Sequence, residues 1–258
     1  GTSRIRKKIA VFGGSTTSDI VKTLELFLLD AGIEPEFYES EYAQYFQDAM
    51  FPDETLLSFK PDIVFIHTTN RNVTNWPEMT DTTEQIDEKL HTEINRFTAM
   101  WKSIAGKFHC PIIQNNFEMP LYRLLGSRDA WDIHGRTNFL TRLNEAFYAY
   151  ARENESFYFH DLNFVSADYG LKEWSNPLFW NMYKYAMCFE AIPSFAFSVS
   201  HIIKSIFGKN KKALALDLDN TLWGGVVGDD GPEGLVLGSE SPAGMAYSEF
   251  QAYLKELG

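Results

Sequence analysis

Short apolar runs alternate with longer stretches of helical periodicity along most of the chain. Ile9 to Phe12 is an apolar run of four residues, the length and character of a strand buried on both faces. Gly13 and Gly14 then make a tight turn. Ser15 to Ser18 lead into a helix that places Ile20, Leu24, Phe27, Leu28 and Ala31 on one face, and Gly32 stops it. Glu36 to Tyr38 read as a second strand, and Glu41 to Phe59 as an irregular aromatic segment with short helical turns. Asp62 to His67 predict a third strand, followed by Thr68, Thr69 and Asn70. Thr82 to Lys107 predict a long helix with Ile86, Leu90, Ile94, Phe97 and Trp101 on its inner stripe.

Pro111 to Gln114 form a fourth strand, and residues 115–136 a long polar loop of a kind that often carries function. A helix over Thr137 to Arg152, a fifth strand over Phe157 to Asp161 and aromatic helical turns from Trp174 to Phe207 follow, with Pro193 opening the last helix. Strands alternating with helices predict an α/β unit: a flavodoxin-like parallel sheet with helices on both faces, over residues 1–208. The polar run Lys209 to Lys212 marks a boundary, and Ala213 begins a second unit over residues 209–258. There Ala213 to Leu216 read as a buried strand, and Val226-Val227 with Leu235 to Leu237 as a hairpin forming a flap. Ser241 and Pro242 open a last helix with Met245, Phe250 and Leu254 inward.

Composition narrows the function. The net charge is −12, which argues against nucleic acid and anionic membranes as partners. An anionic substrate would need a metal or a local Arg/Lys cluster. The two cysteines, Cys110 and Cys188, have no partner at metal-ligand spacing; they read as core residues in a reducing, cytoplasmic protein. No stretch has the length of a signal peptide's apolar region or a membrane span.

The candidate chemistry lies after Leu216. Asp217 and Asp219 are two residues apart on an extended chain, so both face one point beyond the strand's carboxyl end. Two close carboxylates need a cation or a shared proton. Mg²⁺ answers that need, since it takes one or two carboxylates together with phosphate oxygens. One Asp would then attack a phosphoryl group and the other would move protons, with Thr221 and Asn220 beside the phosphate.

The string D-L-D-N-T-L resembles the first motif of the haloacid dehalogenase (HAD) superfamily of Mg-dependent phosphotransferases. Its extension W-G-G-V-V-G-D-D-G-P-E-G-L is similar to one branch, the FkbH-like proteins. The resemblance implies Asp217 as nucleophile, Asp219 as general acid/base, and Mg²⁺ held by the Asp217 side chain and the Asp219 backbone carbonyl. It also implies a phosphorylated three-carbon acid as substrate and transfer of its glyceryl group to an acyl carrier protein. The later HAD elements do not follow before Gly258. About 50 residues after the boundary are too few for an independent core, which needs about 100. No HAD turnover is expected from these residues alone.

A second candidate site is Gly13-Gly14-Ser15-Thr16, between a strand and a helix start. Ser15 reads either as a nucleophile beside an oxyanion hole or as a helix cap. The first 208 residues resemble the SGNH hydrolase fold, the amino-terminal domain type of FkbH-like proteins. In that family the serine lies in G-D-S; here Gly14 stands at the Asp position, Asn70 is the candidate oxyanion Asn, and the late Asp-x-x-His is missing. His134 and His67 are possible stand-ins for the base, and His160 with Asp161 is a further candidate that reads more readily as structural. Arg123, Arg128 and Arg136 read as an anion site or a solvated face. The aromatic group Trp174, Phe179, Trp180, Tyr183 and Tyr185 reads as core. Two alternatives to the phosphotransferase therefore stand: an SGNH-type esterase using Ser15, and a non-catalytic module that docks the carrier protein.

Overall fold

The apolar runs become the strands β1 (Ile5–Gly13), β2 (Ile33–Glu39), β3 (Ile63–His67), β4 (Ile112–Asn115) and β5 (Phe157–His160). All pairings are parallel, and the sheet order is β2-β1-β3-β4-β5. The computed structural model describes residues 4–257; Gly258, the end of the expected second domain, lies outside them. β1 starts four residues before its apolar run because Ile5 to Lys8 pair in register with Ile33 to Glu36 of β2. Pro35 is accommodated there because β2 is an edge strand, where a missing N–H costs no ladder bond on the outer side.

The helices of this unit are α1 (Ser18–Asp30), α2 (Tyr45–Met50), α3 (Glu54–Phe59), α4 (Thr83–Phe108), α5 (Arg136–Glu153), α6 (Leu162–Tyr169), α7 (Leu171–Trp174), α8 (Pro177–Tyr183) and α9 (Ile192–Ile206). Strand side chains alternate between two cores, as the period of two requires. Ala10, Phe12, Val64, Ile66 and Ile112 pack with residues of α2, α3, α4 and α5. Ile9, Val11, Ile63, Phe65 and Ile113 pack with residues of α1, α6, α7 and α9. The result is three layers. Thr82 and Gln85 cap α4 reciprocally. Gly32 takes φ +77° just past α1, a conformation that glycine adopts without strain. No helix among the described residues is long and apolar enough to cross a membrane.

The chain divides by internal contacts into Gly1–Lys209 and Asn210–Gly258. The second unit corrects the sequence expectation at three places. Ala213 to Leu216 form no strand and are exposed. A strand needs a neighbour for its backbone groups, and no strand is present among the described residues of this unit to pair with it. Of the expected hairpin only one antiparallel bridge forms, between Gly224 and Val236. Val226 and Val227 stay outside it, because α10 (Val227–Asp230) turns the intervening Gly-Asp-Asp into helix. The last helix forms as α11 (Pro242–Glu256), with the Ser241 side chain accepting from Gly244 N–H. Met245 on it is exposed rather than inward.

Candidate functional site

In the order 2-1-3-4-5 the chain reverses direction of travel across the sheet between β1 and β3, and ligands of open α/β sheets bind at the carboxyl ends there. Gly13 pairs with His67 at this point, so Gly13 to Ser15 and His67 to Asn72 meet. Gly14 N–H donates to the His67 carbonyl. The Asn72 side-chain amide donates to Gly14 O at 2.9 Å, and its Oδ1 accepts from Thr69 N–H at 2.8 Å. A Cβ at Gly14 would overlap that amide, which explains physically why Gly occupies the position of the motif's Asp. Arg96 donates to the Asn72 carbonyl at 2.8 Å and pairs with the buried Glu93 at 2.7 Å. Glu93 also accepts from Thr74 and Asn75. This network fixes Asn72 beside Gly14. Asn70, the sequence candidate, instead bonds Glu118 through its backbone N–H and its side chain.

Ser15 is 2 % exposed, and its hydroxyl has no hydrogen-bond partner. It does not cap α1, whose N-cap is Thr17. Thr16 bonds the carbonyls of Tyr183 and Lys184, tying the loop to the end of α8. His134 has both ring nitrogens engaged, one with Asp132 Oδ1 and one with the Asp81 carbonyl. The Asp132 carboxylate holds it above its ordinary pKa. His67 is fully buried; its Nδ1 meets Asn115 Oδ1 at 3.1 Å while Nε2 is unpartnered. Burial pushes its pKa down to about 4. His160 meets Ser198 Oγ at 3.0 Å and is pushed down to about 3, by burial first and by His67 second. Phe195 of α9 packs against both rings, tilted to His67 and edge-on to His160. Asp161 caps α6 and accepts from Asn116.

The long loop after β4 supplies a residue that the pattern did not single out. Glu118 is 5 % exposed, and burial raises its carboxyl to about 8. It lines a cavity of about 170 Å³ with Asn70, Arg71, Trp76, Tyr122 and Arg136. The visible signal was a lone acid between Phe117 and Met119. The three loop arginines do not act together: Arg128 pairs with Asp132, Arg123 is exposed, and Arg136 alone reaches this cavity. Of the aromatic group, Trp174 is buried, whereas Tyr183 is exposed and Tyr185 donates to Asp19 at 2.6 Å.

In the second unit Asp217 is exposed and accepts from Leu218 N–H. Asp219 Oδ1 accepts from the Trp223 indole at 3.0 Å and from Val227 N–H at 3.2 Å. Asn220, at φ +54°, accepts from Gly225 N–H. Thr221 N–H bonds the Leu218 carbonyl. D-N-T-L-W-G is thus a folded turn built around Asp219. Carboxylates are the oxygen donors that Mg²⁺ takes together with water and phosphate, but the strand expected to aim Asp217 and Asp219 at one point is absent, and the two bond different donors. No cluster of three or more His, Cys, Asp or Glu side chains is present among the described residues.

The sheet of this order with helices on both faces defines a three-layer α/β domain, with Gly-Ser after β1, an Asn after β3 at the crossover, and a buried serine that has no hydrogen-bond partner. Residues 8–204 match the family described as FkbH, N-terminal domain, and the chain belongs to that family. Its fold is similar to the N-terminal part of the protein BF1531 from Bacteroides fragilis, which contains a phosphatase domain and was crystallised with Mg. The TM-score is 0.85 at 26% identity, over 99% of this chain and 66% of that one. The chain therefore spans about two thirds of that crystallised N-terminal part. A GDSL-like lipase from Bacteroides thetaiotaomicron matches at 14% identity and TM-score 0.44 over 78% of this chain and 89% of that one. An acetyl xylan esterase matches at 14% and 0.48 over 76% and 99%. Comparison with curated proteins gives no match.

Proposed function

We propose that this chain is part of an FkbH-like, Mg-dependent phosphotransferase of the HAD type. The observation that supports this most is the likeness, across nearly the whole chain, to a protein with a phosphatase domain bound to Mg, joined to the motif Asp217-Leu218-Asp219-Asn220-Thr221. In this reading Mg²⁺, when bound, neutralises charge on the transferring phosphoryl group. Asp217 attacks the phosphorus and forms an aspartyl-phosphate while the alkoxide leaves. Asp219 gives that oxygen a proton, then takes one from the water that cleaves the acyl-phosphate. The Trp223 indole and Val227 N–H hold one Asp219 oxygen and leave the other for the proton. Thr221 and Asn220 are the proposed phosphate contacts. The proposed substrate is a phosphoglycerate-type acid in the cytoplasm; passing its glyceryl group to an acyl carrier protein would in addition need the carboxyl as an acyl phosphate, whose phosphate leaves as the carrier's thiol attacks the acyl carbon. The first unit, with its unactivated Ser15, is the proposed docking platform for that carrier.

The test is phosphate release from 3-phosphoglycerate by the protein with its phosphatase domain complete. Activity should require Mg²⁺ and fall at least about a thousandfold in Asp217→Asn, the scale of losing a nucleophile. An Asp217→Asn protein with the parent's rate would sink the assignment. The 258 residues by themselves should release none, because Asp217 sits on an exposed segment with no sheet behind it. Carrier-protein binding that survives deletion of residues 1–208 would remove the docking role.

A further inference from the structure

The cavity around Glu118 is lined by residues of the first unit. Its two cations come from different elements: Arg71 from the turn after β3 and Arg136 from the start of α5. Each lies against an indole, Arg71 with Trp180 and Arg136 with Trp76, both at 4.9 Å. Neither has a carboxylate within 4.0 Å among the described residues. In a chain of net charge −12, two unneutralised guanidiniums at one opening are unusual. Glu118 does not neutralise them. Its Oε2 accepts from Asn70 N–H at 3.3 Å, and the buried carboxyl is neutral at pH 7. A neutral carboxyl presents an O–H donor where a carboxylate would present charge. Planar guanidiniums match the paired oxygens of a carboxylate or phosphate, and indole stacking holds them in place.

We propose that this cavity binds a small oxyanion, a carboxylate or a phosphate monoester, between the guanidinium groups of Arg71 and Arg136, with the Glu118 carboxyl donating a hydrogen bond to it. The volume of about 170 Å³ admits one such group with a few carbons attached. Trp174, Leu171 and Pro177 form the apolar part of the wall against those carbons. The titratable groups on the cavity are Arg71, Arg136, Glu118 and Tyr122. As pH rises through about 8, Glu118 ionises and repels the ligand.

The test is isothermal titration of the 258-residue chain in EDTA, which excludes metal-dependent binding at Asp217, with inorganic phosphate, glycerol 3-phosphate and glycerate as probes. Saturable one-to-one binding is expected. Each of Arg71→Ala and Arg136→Ala should weaken it about tenfold or more, the scale of a lost charge-assisted contact. Both side chains are exposed, so these variants keep the fold, which an unchanged Tm checks. Glu118→Gln should hold its affinity from pH 7 to pH 9, whereas the parent weakens. Preference for the two phosphates or for glycerate would support the site and decide which oxyanion it serves. No saturable binding by any probe, or parental affinity in both arginine variants, would overturn it.

Discussion

Three residues set most of the chemistry of the first unit. Gly14 has no space for a Cβ beside Asn72, so Gly14→Ala should cost about 1–3 kcal/mol, the scale of overpacking, read as a lower urea midpoint. Gly14→Asp, which restores G-D-S, should destabilise further and create no esterase, because Ser15 still lacks a base. Glu118 titrates at about 8 when folded against an ordinary 4.5. The unfolded chain releases its proton first, so Glu118 contributes stability below about pH 4.5 that is lost as pH rises through about 8. Glu118→Gln should remove that decline, and the variant's advantage in urea midpoint should grow from pH 5 to pH 8. A constant difference would contradict a buried neutral acid. His67 runs the opposite way: its folded pKa of about 4 lies below 6.5, so its contribution is present above pH 6.5 and lost as pH falls toward 4. His67→Gln should flatten the acid limb between those values.

At the scale of elements, α9 closes the face of the sheet that carries the two buried histidines. Phe195 touches Phe65, His67 and His160 at ring-centroid distances of 6.2, 4.8 and 5.1 Å. Phe195→Ala should cost about 3–5 kcal/mol, as for other buried aromatics, and should raise the His67 and His160 pKa values by admitting water. NMR titration of the two imidazoles reads that shift; unmoved pKa values would mean that the ring does not exclude solvent. The strands, and helices such as α1, α4 and α5, were legible in the sequence within a few residues, because each carries its own periodicity. The strand over Ala213 to Leu216 was not, because an apolar run states a tendency to be buried, and burial in a sheet needs a neighbouring strand. Asn72 was missed for a similar reason: T-T-N-R-N offers two asparagines, and only the turn at Asn70–Asn72 decides which one reaches Gly14.

For the molecule as a whole, the division into two units separates a packed domain from a sparse one. The buried hydrophobic residues end with Ile203, and none lies from Asn210 onward among the described residues. A domain of about 50 residues buries too little surface for independent stability. Hydrogen exchange should therefore find amides after Asn210 exchanging at near-unfolded rates, while β1, β3 and β4 exchange only by global opening. Deleting residues 210–258 should leave the main calorimetric transition within about 2 °C, less than the shift expected from 1 kcal/mol in a domain of this size. A large drop in Tm would show that the second unit supports the first.

The sequence by itself determined the order of strands and helices, the three-layer class, the boundary near Lys209 and the Asp-x-Asp motif. These follow from periodicities and spacings that are local to the chain. Only the tertiary structure decided that Asn72 lies against Gly14, that Ser15 is sealed without a base, and that Glu118, Arg71 and Arg136 share a cavity. Those facts join residues far apart in sequence across the sheet's carboxyl edge. The environment that neutralises a carboxyl or strips a histidine of its charge belongs to the packed fold, since desolvation depends on everything that surrounds a group and not on its neighbours along the chain.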